Sequence, residues 1–204
     1  MSRLLKDKQS LSYLVQDKYI GPLIGKYGDC TIAVKHHKDY FENLCSSIIG
    51  QQLSGRVADV IFGRFKKCVG KVEPKNVLKI ADQKLRDCGM SWAKVNSIKD
   101  LAKRTKEGKL KTRSLTELSE AEVKKELVAV RGIGNWTAEM FLMFTLGRAD
   151  IFPSDDLGIR NGMIKLIGPH FAKASRGEME KFAERWKPYR TVASWYIWKN
   201  LDNE

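Results

Sequence analysis

The chain has 204 residues, a formal net charge of +13 at pH 7 and hydrophobic side chains at 43% of its positions. This apolar content excludes a disordered chain, and the excess of Lys and Arg points to a polyanionic partner, nucleic acid before a membrane. No apolar stretch has the length of a signal peptide or a membrane span, so we expect a soluble protein of the cytoplasm or nucleus.

The cysteines are widely spaced, and none belongs to a CxxC pair. This spacing predicts neither a zinc site nor an iron–sulfur cluster. We interpret them as reduced intracellular thiols, mostly buried. They are Cys30, Cys45, Cys68 and Cys88.

The first half of the chain has apolar residues at helical spacing. One helical pattern runs from Phe41 to Ile49, and a second runs from Val57 to Phe65, with Ser54 as its N-cap. The polar residues between them form either an ordinary inter-helix turn or a loop whose Gln and Leu side chains enter a DNA groove.

Further helices follow along the chain. Pro74 begins a helical pattern that Gly89 ends, and Ser91 is a candidate cap for the next helix. Residues 102–113 are rich in Lys and Arg, which suits either a phosphate-tracking segment or a solvated connector. Since no stretch shows sustained polar–apolar alternation, we predict an all-α fold without strands.

The segment from 119 to 146 predicts a helical hairpin. A capping box at 119–122 opens its first helix, and Trp136 begins its second. Gly132 and Gly134 suit a sharp reversal between the helices, with Ile133 packed between them. The backbone amides at the start of the second helix would bind an anion such as phosphate, although an ordinary glycine-capped hairpin has the same spacing.

Two adjacent carboxylates, Asp155 and Asp156, follow the hairpin after Pro153. Ser154 or one of the Asp residues can cap the next helix, which would explain the pair as structural. In a strongly basic protein, however, a carboxylate near a phosphate site is favoured if it acts on a developing positive charge.

These motifs together resemble the helix-hairpin-helix (HhH-GPD) DNA glycosylases, in particular the alkylation-repair branch, DNA-3-methyladenine glycosylase II. The resemblance extends from about Tyr40 to Trp198. It rests on four segments in order, which are Ile48–Ser54, Val130–Ala138, Phe152–Ile159 and Glu184–Arg190.

The resemblance implies a single domain over residues 1–204, with two helical lobes, a cleft between them, and the hairpin at about 120–146. It implies that Asp156 is the catalytic carboxylate, which stabilises an oxocarbenium ion or orients a water. Asp155 is then a cap or a supporting group. The DNA-binding residues it implies are Gln51, Gln52, Leu53, Ser54, Arg131, Gly132, Ile133, Gly134 and Thr137, with Gln52 or Leu53 as the wedge.

The resemblance also implies a base pocket and a cation site. Trp136 and Trp186 match aromatic pocket residues, although both could instead fill the core. Met140 and Leu157 stand where some relatives have tyrosines. Relatives often bind Na+ or K+ on hairpin carbonyls, here those of Val128, Val130 and Ile133, and no other cofactor is implied.

The implied activity is base excision from damaged duplex DNA by base flipping, with 3-methyladenine and 7-methylguanine as the released bases. Trp136 stands where bifunctional relatives have a Schiff-base Lys, so we expect a monofunctional enzyme with water as the nucleophile. Relatives of this kind usually act as monomers, and we expect the same here. The alternatives are a glycosylase for neutral lesions (hypoxanthine, ethenoadenine or uracil) and a non-catalytic DNA-binding module.

Overall fold

A computed structural model describes residues 3–4, 8–34 and 40–202. Helices account for 69% of the structure, which confirms the all-α prediction. The helices are α1 (Lys8–Leu14), α2 (Ile20–Tyr27), α3 (Tyr40–Gly50), α4 (Gly55–Val69), α5 (Pro74–Lys79), α6 (Asp82–Asp87), α7 (Trp92–Lys106), α8 (Glu120–Val128), α9 (Asn135–Phe144), α10 (Leu157–Ile167), α11 (Arg176–Ala183) and α12 (Arg190–Asp202). Short 3₁₀ turns span Thr112–Ser114, Pro169–Lys173 and Glu184–Trp186.

The expectation that no strand occurs is wrong at one place. Strands β1 (Arg3–Leu4) and β2 (Ala33–Val34) pair antiparallel, with Arg3 opposite Val34 and Leu4 opposite Ala33. Two residues are too few to leave an alternation in the sequence, so this pairing has no periodic signal.

Capping side chains define several helix starts, as the sequence predicts. Ser119 and Glu122 form the expected capping box at α8, and the Ser91 hydroxyl accepts the Lys94 amide at α7. Ser54 occupies the N-cap of α4, but its side chain makes no capping hydrogen bond. The pattern begun by Pro74 is divided into α5 and α6, because the backbone at Ile80 and Ala81 is extended.

The chain forms two compact units, one from residues 1–35 and 142–204 and the other from residues 36–141. In the first unit, α10 and α2 both pack on α12. Their shared core contains Leu14, Ile20, Trp186 and Ile197, all without exposed surface. The Tyr196 hydroxyl donates to the Gly28 carbonyl at 2.6 Å, which ties the C-terminal helix to the N-terminal segment.

Asp17 joins the N-terminal helices to the far end of the chain. Burial would raise the pKa of its carboxyl, but the amides of Ile20 and Tyr19 and the Arg185 guanidinium outweigh burial and lower that pKa. The Arg185 Nε lies 2.8 Å from Asp17 Oδ2. The ionised carboxylate therefore caps α2 and pairs with a charge 168 positions away.

The second unit has its own core. Helix α3 packs on α4 and α7, and α5 packs on α7. Leu44, Ile48, Phe65, Ile98 and Leu101 have no exposed surface. Buried side chains therefore fix the positions of α3 and α7. The loop that follows α3 starts from one of these fixed helices.

The cysteines are free thiols, and all except Cys68 are buried, as expected. Burial raises the pKa of Cys30 to about 11, so its thiolate is disfavoured at neutral pH. In the described part of the chain, no helix combines the length and the hydropathy needed to cross a bilayer.

The contact between α10 and α12 yields a stability prediction. A Cβ at Gly162 would lie 2.4 Å from Ile197 Cγ2 and 3.1 Å from Ile197 O, and Ile197 is fully buried. Gly162→Ala is therefore expected to lower the free energy of unfolding by about 1–3 kcal/mol, measured by chemical denaturation.

Gly177→Ala is the matched control, because no atom lies within 4 Å of its added Cβ in α11. This variant is expected to stay within about 0.5 kcal/mol of the wild type. Equal stability of both variants would contradict the tight packing of α10 on α12.

Candidate functional site

The turn between α8 and α9 is closed by its own backbone. The Val130 amide donates to the Leu127 carbonyl at 3.0 Å, and the Ile133 amide donates to the Val130 carbonyl at 3.1 Å. Val130 and Ile133 are both buried, as predicted for the residue between the two glycines. The first helical hydrogen bond of α9 then joins the Ala138 amide to the Gly134 carbonyl at 3.0 Å.

This geometry changes the expected set of anion-binding amides. The Ile133 amide is used inside the turn, so its expected role as a phosphate donor is not supported. The amides of Gly134 and Asn135 precede the first helical hydrogen bond, so α9 offers no carbonyl to which they could donate. They lie at the positive end of the helix dipole, where an anion is stabilised.

Gly132 has a left-handed backbone that only glycine can adopt here. Its φ is 78°, and a Cβ would lie 2.3 Å from the Ser97 hydroxyl of α7. That hydroxyl is itself held by a 2.8 Å bond to the Ala93 carbonyl. The hairpin therefore rests directly on α7 at Gly132, whereas no atom lies within 4 Å of a Cβ at Gly134.

An acidic side chain of α7 holds the residue that precedes Gly132 in the turn. The Arg131 amide donates to Asp100 Oδ2 at 2.8 Å, and Arg104 Nε lies 2.9 Å from the same oxygen. The Arg131 side chain is exposed. The turn therefore exposes the Arg131 guanidinium to solvent, while Asp100 of α7 fixes the backbone of the same residue.

The loop between α3 and α4 lies beside the hairpin. Gln52 has a φ of 58°, an uncommon value for a residue with a side chain, and Leu53 is 36% exposed. Lys94 Nζ donates to the carbonyls of Ile49 and Gln51, each at 2.8 Å. Gln51 Nε2 donates to the Gly132 carbonyl at 2.8 Å and to the Thr137 hydroxyl at 3.3 Å.

A pocket of about 250 Å³ opens between this loop and α9. It brings together several residues that the sequence assigns to DNA or base binding. The Trp136 indole is 45% exposed, so a planar ligand can reach it. The lining residues are Ser47, Gly50, Gln51, Gln52, Leu53, Trp136, Thr137 and Met140.

Asp156 lies in the other compact unit, at the N-cap of α10. Its Oδ1 accepts the Ile159 amide and the Trp198 indole N–H, each at 2.8 Å. The residue is partly buried, whereas its neighbour Asp155 is exposed and pairs with Arg176 at 2.7 Å. Of the two adjacent carboxylates, Asp156 is the oriented one and Asp155 is a surface ion-pair partner.

Trp198 is a site residue that the sequence analysis missed. It lies 42 positions after Asp156, on α12, and no local pattern connects the two. A Cβ at Gly158 would lie 3.0 Å from Asp156 Oδ1 and from Trp198 Nε1, so glycine leaves the space in which this hydrogen bond forms.

The assignment of Trp186 to a base pocket is wrong. Trp186 has no exposed surface and packs in the core between Phe152 and Phe182, with ring centroids 6.2 and 5.7 Å away. A side chain without accessible surface cannot receive a ligand, so the core-filling alternative holds. Leu157, in contrast, is 70% exposed at the first position of α10.

The described residues contain no group of three or more His, Cys, Asp or Glu side chains that could hold a metal ion. The carbonyls expected to bind a monovalent cation belong to the end of α8 and the turn. The Val130 carbonyl already accepts the Ile133 amide, although a carbonyl oxygen has a second lone pair for a cation.

Comparison with known proteins assigns the chain to a family. A model of the HhH-GPD superfamily of base excision DNA repair proteins matches residues 45–188, well over half of the chain. The chain belongs to this superfamily. The match includes α8 and α9, the loop after α3, and the acidic pair before α10.

Three matches illustrate how much of this HhH-GPD chain is shared with known proteins. DNA-3-methyladenine glycosylase 1 of Schizosaccharomyces pombe is 35% identical, over 98% of this chain and 88% of the relative. The crystal structure of a DNA-3-methyladenine glycosidase from Bacillus halodurans superposes with a TM-score of 0.85 at 30% identity, covering 100% of this chain and 93% of that one. A 3-methyladenine DNA glycosylase of S. pombe in complex with abasic DNA gives a TM-score of 0.79 at 30% identity, covering 96% and 97%.

The hairpin glycines of this HhH-GPD protein yield a second prediction. Gly132→Ala places a methyl group against Ser97 and forces a positive φ on alanine, so we expect a loss of about 1–3 kcal/mol in the free energy of unfolding. Gly134→Ala meets no neighbouring atom and is expected to change stability by less than about 0.5 kcal/mol. Chemical denaturation measures both, and a larger loss at Gly134 than at Gly132 would refute this account of the turn.

Proposed function

We propose that this protein is a DNA glycosylase that hydrolyses the N-glycosidic bond of alkylated purines in duplex DNA, the first step of base excision repair. Family membership and the names of its relatives support this reaction class. The observation that carries the proposal is the oriented carboxylate of Asp156. A second residue at a long sequence distance, Trp198, holds it, and capping alone does not require such a partner.

The reaction needs an anionic group beside the sugar. As the bond between C1′ and the base nitrogen breaks, the bonding electron pair leaves with the base and positive charge builds on the deoxyribose. The Asp156 carboxylate stabilises that charge, or it orients a water whose oxygen bonds to C1′ and whose released proton passes to the carboxylate. Two N–H donors on Oδ1 keep the carboxylate in one orientation before substrate arrives.

An alkylated purine suits a site with little acid catalysis. Alkylation at N3 or N7 gives the base a positive charge, so it leaves as a neutral molecule without protonation. The exposed indole face of Trp136 attracts such a cation by roughly 0.5–2 kcal/mol, and Met140 supplies a polarizable neighbour in the same pocket. We propose Trp136, Met140 and the exposed Leu157 as the base-contacting residues.

We propose different DNA-binding roles for the hairpin and for the loop after α3. We propose that the amides of Gly134 and Asn135, with the Arg131 side chain and the Gly132 backbone, bind a phosphate. Gln52 and Leu53, at the exposed end of the loop, are the residues proposed to fill the gap left by the flipped base. The positive φ of Gln52 supports the loop as a strained, functional segment.

We propose a monofunctional enzyme that acts as a monomer on DNA in a prokaryotic nucleoid or a eukaryotic nucleus. A Schiff-base mechanism needs an amine at the position that Trp136 occupies. No cofactor is needed for hydrolysis. A Na+ or K+ ion on the carbonyls of Val128, Val130 and Ile133 would support the turn electrostatically.

The reaction is tested on the assigned carboxylate. Wild-type protein is expected to release 3-methyladenine and 7-methylguanine from methylated duplex DNA, detected by mass analysis of the free bases. Asp156→Asn keeps an oxygen for the Ile159 and Trp198 donors but removes the charge, so release should fall roughly 100-fold or more. Affinity for an abasic duplex should remain close to that of the wild type.

Asp155→Asn is the matched control for this experiment. It makes the same change one position earlier, in an exposed ion pair with Arg176, and is expected to release bases at nearly the wild-type rate. Full activity of Asp156→Asn would refute the assigned role. Release of hypoxanthine, ethenoadenine or uracil from single-lesion duplexes, but of no alkylpurine, would favour a neutral lesion. Salt-sensitive binding without any release would favour a DNA-binding module.

A reductive trapping experiment tests the proposed use of water. If water attacks C1′, sodium borohydride added during turnover should give no covalent protein–DNA adduct, and the product strand should break only on alkaline treatment. A bifunctional glycosylase run in parallel provides the positive control. An adduct between this protein and the DNA would show that an amine is the nucleophile.

A further inference from the structure

The side-chain nitrogen of Gln51 donates hydrogen bonds within the protein. Its Nε2 lies 2.8 Å from the Gly132 carbonyl and 3.3 Å from the Thr137 hydroxyl. A carbonyl can only accept, so the nitrogen must face Gly132 and the orientation of the amide is determined. Gln51 and Gly132 are 81 positions apart, and this contact joins the loop after α3 to the hairpin turn.

Both ends of this contact are anchored. On the loop side, Lys94 Nζ binds the carbonyls of Ile49 and Gln51, and burial lowers the pKa of its ammonium group. On the hairpin side, Gly132 has a left-handed backbone and leaves no room for a Cβ against Ser97, and Thr137 is 6% exposed. A hydrogen bond between two anchored groups transmits position, because neither end can shift independently at low cost.

The segments that this contact joins carry the two proposed DNA-binding functions. Gln52 and Leu53 directly follow Gln51, and the amides of Gly134 and Asn135 lie two and three positions after Gly132. The same contact forms part of the wall of the pocket that contains Trp136. Gln51 and Thr137, which the resemblance assigns to DNA binding, form a hydrogen bond with each other.

We infer that Gln51 is a positioning residue that couples the wedge loop to the phosphate-binding hairpin, so that gripping the strand places the wedge at the flipped nucleotide. This inference rests on the proposed glycosylase function. It assigns Gln51 and Thr137 no direct contact with DNA. Losing the coupling should therefore slow base excision more than it weakens binding.

The test is a double-variant experiment on single-turnover excision from an alkylated duplex. Gln51→Met keeps the length of the side chain and removes its donors, and Thr137→Val keeps the shape and removes the oxygen. Gln51→Met should lower the excision rate constant about tenfold, since losing a hydrogen bond permits misplacement, while the abasic-duplex Kd changes less than about threefold. Thr137→Ser, which restores the oxygen, should lose less than Thr137→Val.

The double variant decides whether the two side chains form one link. Gln51→Met with Thr137→Val should be no slower than Gln51→Met alone, because the link is already broken. Gln83→Ala is the control at an exposed glutamine of α6 that donates to Asp87 Oδ1 at 2.7 Å, and it should behave as the wild type. Circular dichroism and thermal melting verify that each variant is folded.

Three outcomes overturn the inference. The first is unchanged excision by folded Gln51→Met, and the second is losses that multiply in the double variant, as for independent residues. The third is a Kd that weakens as much as the rate falls, with a reduced salt dependence, which would indicate direct phosphate binding. If wild-type protein itself releases no base, the proposed function fails, and that result is separate from these three.

Discussion

The contact between Gly132 and Ser97 determines the geometry of the hairpin. A glycine in the left-handed region lies so close to the side-chain oxygen of α7 that no larger residue fits. The Asp100 carboxylate fixes the adjacent amide of Arg131 from the same helix. Because α7 lies in the hydrophobic core of its unit, that core also supports the N-terminal end of α9, where we propose that a phosphate binds.

The acidic site depends on a different kind of support. Asp156 caps α10, as many aspartates cap helices, and a cap by itself would carry no chemistry. The hydrogen bond from Trp198 goes beyond capping, because this indole donor from α12 restricts the rotation of the Asp156 carboxylate. Gly158 leaves room for both groups at the start of α10. One side chain therefore serves helix stability and holds a charge in a defined position.

Local features of the site could be predicted from the sequence, and long-range ones could not. The glycine turn and the capping box at Ser119 follow from spacing over a few residues, whereas the choice of Asp156 over Asp155 depends on the family resemblance. Trp198 and the partners of Gln51 lie 42 and 81 positions away, where no periodicity reaches. Trp186 shows the opposite limit, since residue type alone cannot separate a buried tryptophan from one that lines a pocket.

Two further features of the backbone differ from what the sequence predicts. The use of the Ile133 amide inside the turn depends on dihedral angles that the side-chain pattern does not encode. The break between α5 and α6 at Ile80 and Ala81 has no glycine or proline to mark it. Both features are set by tertiary packing rather than by intrinsic propensity.

The division of the chain into units has a consequence for its biosynthesis. Residues 36–141 are contiguous, so that unit can form its core as soon as the segment has left the ribosome. Leu14 and Ile20, in contrast, share a core with Trp186 and Ile197, which are translated more than 160 residues later. The core that the N-terminal helices share can therefore be completed only after residues 36–141 have been synthesised, so it forms later than the core of the contiguous unit.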